Sequence, residues 1–119
     1  MTWQIEQHPR FAEEMAELAE VVQDEILALA EALKELGQQL RRPRSDTLNG
    51  SKHANMKELR FDADDGVWRV AYAFDPKRKA ILLVAGDKSG SSQKRFYKTL
   101  LKRADDRFDE HLAALKEQS

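Results

Sequence analysis

The chain has 119 residues, 41% of them hydrophobic and 34% charged, with no cysteine and a formal net charge of -1. This length fits one domain over residues 1–119, the apolar content excludes a disordered chain, and the missing cysteines exclude disulfides, thiolate metal sites and cysteine nucleophiles. No apolar run approaches the roughly 20 residues that cross a bilayer, and the opening Met1-Thr2-Trp3-Gln4-Ile5-Glu6 lacks the basic start and apolar stretch of a signal peptide, so a cytoplasmic protein with no membrane partner is expected.

Thr2 to Gln7 alternates apolar and polar side chains before His8-Pro9, which predicts a short opening strand. From Pro9 to Gly37 apolar residues recur at helical steps: Phe11, Met15, Leu18, Val22, Ile26, Leu29, Leu33 and Leu36. A straight helix of that length would reach roughly 40 Å, too long for a compact domain with a radius of gyration of about 13 to 14 Å. A break near Glu20 to Asp24 is therefore expected, with Gly37 as the stop. Arg41 to Asn55, with Pro43, Asn49-Gly50 and several basic residues, reads as a surface loop. Three strands follow, Met56 to Asp62, Val67 to Asp75 and Lys79 to Gly86, joined at Asp65-Gly66 and Asp75-Pro76 in an antiparallel meander. In the middle strand Trp68, Val70, Tyr72 and Phe74 point to a core, while Arg69, Ala71 and Ala73 point to a shallow opposite face. After a loop at Asp87 to Ser92, a helix from Gln93 to Glu117 presents Phe96, Leu100, Leu101, Phe108, Leu112 and Leu115 as its buried stripe.

The near-neutral total hides a division of charge. Residues 1 to 40 carry two basic side chains, Arg10 and Lys34, against nine acidic ones, whereas Arg41 to Arg103 carries sixteen basic against seven acidic. A basic surface of this kind suits a polyanionic partner, because Lys and Arg that meet phosphates release counterions.

The order strand, two helices, three-stranded meander, helix describes an α+β fold that resembles the RelE/ParE toxin superfamily. Asp46-Thr47-Leu48-Asn49-Gly50-Ser51 leads into Lys57-Glu58-Leu59-Arg60-Phe61, then Val67-Trp68-Arg69-Val70-Ala71-Tyr72-Ala73-Phe74-Asp75, Ile81-Leu82-Leu83-Val84-Ala85-Gly86-Asp87-Lys88 and Lys94-Arg95-Phe96-Tyr97. Taken in order, these segments resemble the phage-derived, HigB-like branch. The resemblance implies a RelE-like architecture, with an N-terminal strand and helical hairpin on a small antiparallel sheet and a C-terminal helix. It also implies the toxin of a type II toxin–antitoxin system: an endoribonuclease (mRNA interferase) that cuts messenger RNA on the ribosome and inhibits translation. The implied antitoxin is a helix-turn-helix protein, with operator DNA met only through the complex. ParE members of similar fold act on DNA gyrase without hydrolysing anything, which is the alternative; a third reading is an inactive chain that only binds antitoxin or DNA.

Arg69 follows Trp68 in the family's aromatic-Arg-hydrophobic pattern and is the first candidate to hold the scissile phosphate; the competing role is a salt bridge to Glu58 or Asp62. Arg60 shares the parity of Glu58 and Asp62, so it can lie beside Arg69 across the hairpin or form an ion pair there. Lys57 is a further catalytic candidate, although its parity matches Leu59 and Phe61. Glu58 is the one carboxylate in these motifs able to act as a general base, but solvated pairing with Arg60 is favoured. Lys88 falls where the resemblance places a catalytic basic residue, and Tyr97 can stack on a base or sit half-buried. Lys94, Arg95, Lys98, Arg41 and Arg42 are candidate RNA contacts. His53 and His111 invite an acid–base pair, His8 reads as structural, and the acidic Asp105, Asp106, Asp109 and Glu110 read as charge balance. No metal or cofactor is expected, since basic side chains can supply the charge stabilisation and proton transfers of RNA cleavage.

Overall fold

The computed structural model describes residues 2–118; Met1 and Ser119, the ends of the expected domain, lie outside them. The chain runs β1 (Gln4–Gln7), α1 (Pro9–Ala16), α2 (Glu20–Leu36), a 3-10 turn (Gly37–Gln39), β2 (Ser45–Thr47), β3 (Lys57–Ala63), β4 (Gly66–Phe74), β5 (Lys79–Asp87) and α3 (Gln93–Gln118). The strands form one sheet in the order β1-β5-β4-β3-β2. β1 runs parallel to β5, and every other pair is antiparallel. Among the described residues no helix is long and apolar enough to cross a membrane.

The expected α+β order is present, with local corrections. The helical break falls at Glu17–Ala19, earlier than Glu20 to Asp24, because Glu20 already begins the second helix. His8 caps α1 by accepting the Arg10 amide on Nδ1, with Pro9 at the first helical position, where its missing N–H costs nothing. α2 stops at Gly37, whose φ of 54° and closeness to the Trp3 indole, 2.0 Å from where a Cβ would stand, both require glycine. The predicted loop from Arg41 to Asn55 contains the edge strand β2, which at three residues is too short to show a period in sequence. The β3–β4 turn is Asp64-Asp65, both at positive φ, and Gly66 is already in β4. Aspartate tolerates the left-handed region through local hydrogen bonding, so Gly66 is not needed for the turn itself.

The larger correction concerns the second face of the sheet. Leu59, Val70, Tyr72, Ala80 and Leu82 pack under Phe11, Val22, Ile26 and Leu33 of the hairpin, as the alternation predicts. The opposite face is not an open shallow surface but a second apolar cluster, in which Ala71, Ala73, Ile81, Leu83 and Val84 meet Leu100, Ala104 and Phe108 of α3. The small side chains of Ala71 and Ala73 leave the depth that α3 fills. A bulge at Ala71/Tyr72 against Val84/Leu82 lets both Leu83 and Val84 join this cluster. Leu36, read as core, is exposed beyond the last buried turn of α2.

α3 carries one buried charge that hydrophobic periodicity could not reveal. Arg107 is 5% exposed; its guanidinium donates to the Leu83 carbonyl at 2.8 Å and to both carboxylate oxygens of Glu14 at 2.8 and 2.6 Å. This fork ties α3 to β5 and to α1. Arg107→Ala leaves the Leu83 carbonyl and Glu14 without their donor, and is expected to cost about 2–4 kcal/mol in urea unfolding. Glu14→Gln keeps an amide oxygen that can accept from Arg107 at a site 46% exposed, and leaves the bond to the Leu83 carbonyl intact, so it is expected to cost about 1 kcal/mol or less. Equal losses for the two variants would contradict this assignment.

Candidate active site

Where α3 leaves the sheet, toward the β2–β3 edge, a cleft of about 380 Å³ opens. Its charged lining is Arg42, Asp46, Glu58, Arg60 and Lys88, joined by Tyr97, Thr47, Leu48, Asn49 and Gln93. The antiparallel register sets Arg60 directly opposite Arg69, two like charges that repel unless each finds an acceptor. They resolve this by leaning apart. Arg60 reaches out to Asp46 at 3.4 Å, which Arg42 also holds at 2.7 Å. Arg69 turns inward, 5% exposed, donating to the Trp68 carbonyl at 2.8 Å and the Tyr97 hydroxyl at 3.3 Å.

Tyr97 passes that interaction on. Its hydroxyl accepts from Arg69 and donates to Glu58, 3.0 Å from Oε1 and 3.4 Å from Oε2. Phe96, next to it, sets the height of the ring by lying on Gly86, where an added Cβ would come within 2.9 Å of it. Glu58 is 5% exposed, and its Oε1 lies 3.9 Å from Arg69 Nε. Burial pushes its carboxyl above the ordinary glutamate value, against the opposing pull of Tyr97, Arg69 and Arg60. Burial likewise raises the Tyr97 hydroxyl. Lys88 stands on the first residue after β5, where its amide donates to Val67 O at 2.8 Å, and its ammonium lies 5.9 Å from the centre of the Tyr97 ring. Desolvation, then Arg69 and Arg60, lower the Lys88 pKa. One cleft thus holds a carboxyl displaced upward and an amine displaced downward, an arrangement suited to acid–base chemistry between them.

The structure brings Arg60, Lys88, Tyr97 and Arg42 to this cleft and places Arg69 beneath it. Lys57 lies elsewhere: it pairs with Tyr72 on the hairpin side of the sheet and lines a separate depression with Gln38, Met56 and Phe74. The favoured pairing of Glu58 with Arg60 gives way to a buried Glu58 under Tyr97, because Asp46 on the unforeseen strand β2 takes Arg60. Lys94, Arg95, Lys98 and Arg41 are exposed and none of them lines the cleft; Arg95 borders a separate depression with Gly86, Phe96 and Arg103. The histidines are structural: His53 binds Asp109 at 2.8 Å, His111 binds Asp75 at 2.8 Å, and His8 caps α1. Sequence reasoning missed Asp46, Asn49 and Gln93 as cleft residues; only the four-residue spacing of Arg42 and Asp46 hints at the first. Among the described residues no group of three or more His, Asp or Glu side chains is placed to hold a metal ion.

Residues 13–109 match the family model described as phage-derived protein, Gp49-like. Over 93 residues the chain is 43% identical to the candidate toxin HigB2 of Mycobacterium tuberculosis (strain ATCC 25618 / H37Rv), covering 77% of this chain and 46% of that protein. It is 46% identical over 78 residues to the candidate toxin HigB3 of the same strain, covering 66% of each. The chain therefore spans about half to two thirds of the length of these curated relatives. A solved structure of a mutant E. coli toxin RelE in the free state superposes with a TM-score of 0.58 at 11% identity, covering 85% of this chain and 95% of that one, a likeness of fold.

The raised Glu58 carboxyl has a consequence for stability. Because its folded-state value lies above its unfolded one, the fold favours the protonated form, and the contribution is full at low pH and lost as pH rises through the folded-state value. Glu58→Gln mimics the protonated form, so its denaturation midpoint is expected to exceed that of the wild type at pH 7 and to match it near pH 4. A variant less stable at pH 7, or equally shifted at both, would show that the carboxylate is not strained by burial.

Proposed function

Because the chain belongs to the phage-derived Gp49-like family, and the matched span contains the whole cleft, we propose that it is the toxin of a type II toxin–antitoxin pair, an endoribonuclease that cuts messenger RNA on translating ribosomes. The observation that carries this reading is that buried Glu58 and Lys88 line one cleft together with Arg60. The names of the relatives HigB2 and HigB3 as candidate toxins, and the RelE fold, support it.

In this mechanism Glu58 takes the proton of the ribose 2'-hydroxyl, and the 2'-oxygen attacks the adjacent phosphorus. Arg60, with Arg42, leaves Asp46 to hold the phosphate oxygens as charge builds on them. Lys88 gives its proton to the departing 5'-oxygen, so that one P–O bond forms and one breaks, leaving a 2',3'-cyclic phosphate and a 5'-hydroxyl. Arg69 and Tyr97 act as positioning residues that hold the Glu58 carboxyl. Lys94, Arg95, Lys98 and Arg41 grip flanking RNA or ribosomal RNA. Lys57, on the other side of the sheet, takes no part. A helix-turn-helix antitoxin restrains the toxin in the cytoplasm, and operator DNA is met through that complex.

Primer extension on translating ribosomes tests this reading. Glu58→Gln and Lys88→Ala are expected to reduce cutting by roughly 100-fold or more, and Arg60→Ala by about 100-fold, while Lys57→Ala changes it little. The cutting rate is expected to rise with pH as Glu58 ionises and fall as Lys88 loses its proton, with Glu58→Gln losing the rising limb. Intact messenger RNA with wild-type protein, together with inhibited supercoiling by gyrase, would overturn the proposal in favour of a ParE-like action.

A further inference from the structure

Besides its charged side chains and the hydroxyls of Thr47 and Tyr97, the cleft is lined by two carboxamides, Asn49 and Gln93. The arginines and carboxylates partner one another or Tyr97, but neither amide side chain has a hydrogen-bond partner among the described residues. Asn and Gln side chains can donate to phosphate oxygens, but they bring no charge to a site that already holds arginines. A carboxamide instead sets an acceptor beside donors in one plane and matches a base edge that offers a donor beside an acceptor. Phosphate contacts position a nucleic acid, and contacts to base edges specify it.

The two amides come from different elements, yet both are referenced to α3. Gln93 is its first residue. Asn49 precedes Gly50, a turn at φ 96° against which Leu101 presses, with its Cδ1 3.2 Å from where a Cβ would stand. The loop beyond is clamped onto the same helix. Ser51 Oγ donates to Asp105 at 2.5 Å, the Lys52 amide donates to Asp105 at 3.2 Å, and His53 meets Asp109 at 2.8 Å with its ring edge-on to Phe108. Lys52 adds an ion pair to Asp109. Asp105 and Asp109, read from sequence as charge balance with Asp106 and Glu110, therefore hold the loop that follows Asn49. The clamp fixes one amide relative to the other, as recognition of a base edge demands.

We propose that Asn49 and Gln93 are specificity-determining residues that read the edge of an unpaired base beside the scissile phosphate, and that Asp105 is a positioning residue holding Asn49 in place. This rests on the endoribonuclease reading and deepens it. The cleft, at the small end of ligand pockets, suits a single flipped-out base and not a helix.

The test is to sequence the ends produced from a messenger pool of mixed sequence in a translating extract, by wild type, Asn49→Ala, Gln93→Ala and Asp105→Asn. Wild type is expected to prefer particular bases at one position next to the cut. Asn49→Ala and Gln93→Ala are expected to lower that preference by roughly 5- to 100-fold, a ratio read within each enzyme whatever its total rate. Asp105→Asn is expected to weaken it less and to raise KM more than it lowers kcat. Unchanged preference in both alanine variants would overturn the proposal while leaving the nuclease intact, and loss of all cutting by either would assign that amide to the chemistry and overturn it too. Wild type that cuts nothing would end the nuclease reading, and this proposal with it.

Discussion

A carboxyl group buried beside two arginines that face each other across a hairpin sets the terms for the rest of the molecule. Arg60 and Arg69 repel, and Glu58 would ionise freely only in water. The fold answers by turning Arg69 inward to Tyr97, sending Arg60 outward to Asp46, and laying the Tyr97 hydroxyl on Glu58. These partners come from different elements, Asp46 from β2 and Tyr97 from α3, and the residue after β5 adds Lys88 to the same cleft. The cleft exists only when all of them are assembled.

α3 is the element that makes this possible. By closing the second face of the sheet over Ala71 and Ala73, it removes water from Glu58 and Arg69, which an open sheet face would have left solvated. Its hold on the rest of the chain is partly apolar and partly the Arg107 fork to Leu83 and Glu14. The same helix, through Asp105 and Asp109, anchors the loop that follows the lining residue Asn49. Burial, electrostatics and the shape of the cleft thus share one mechanical cause.

Most of the fold was legible in the sequence because it rests on periodicity: the hairpin stripe from Phe11 to Leu33, the alternation in β4 and the stripe on α3 each repeat often enough to declare themselves. The helical break was misplaced by a few residues, since no proline or glycine marks Glu17–Ala19. β2 escaped because three residues carry no period. The second core escaped because alanines on a strand read as an empty face, although a helix can exploit the room they leave. For the cleft, the parity of Arg60 and Arg69 was readable, but the direction each side chain takes depends on Asp46 and Tyr97, which lie 14 and 28 residues away. Sequence parity places a side chain on a face; only packing decides whether it meets solvent.

The central claim is that the fold displaces Glu58 and Lys88 toward each other in proton affinity within one cleft. Carboxyl and amine nuclear magnetic resonance signals of these two residues, followed through a pH titration of the intact wild-type protein, measure it directly. The account predicts a Glu58 midpoint above the ordinary glutamate value and a Lys88 midpoint below the ordinary lysine value, with Tyr97→Phe moving the Glu58 midpoint further upward as its hydroxyl donor is lost. Ordinary midpoints for both groups would contradict it.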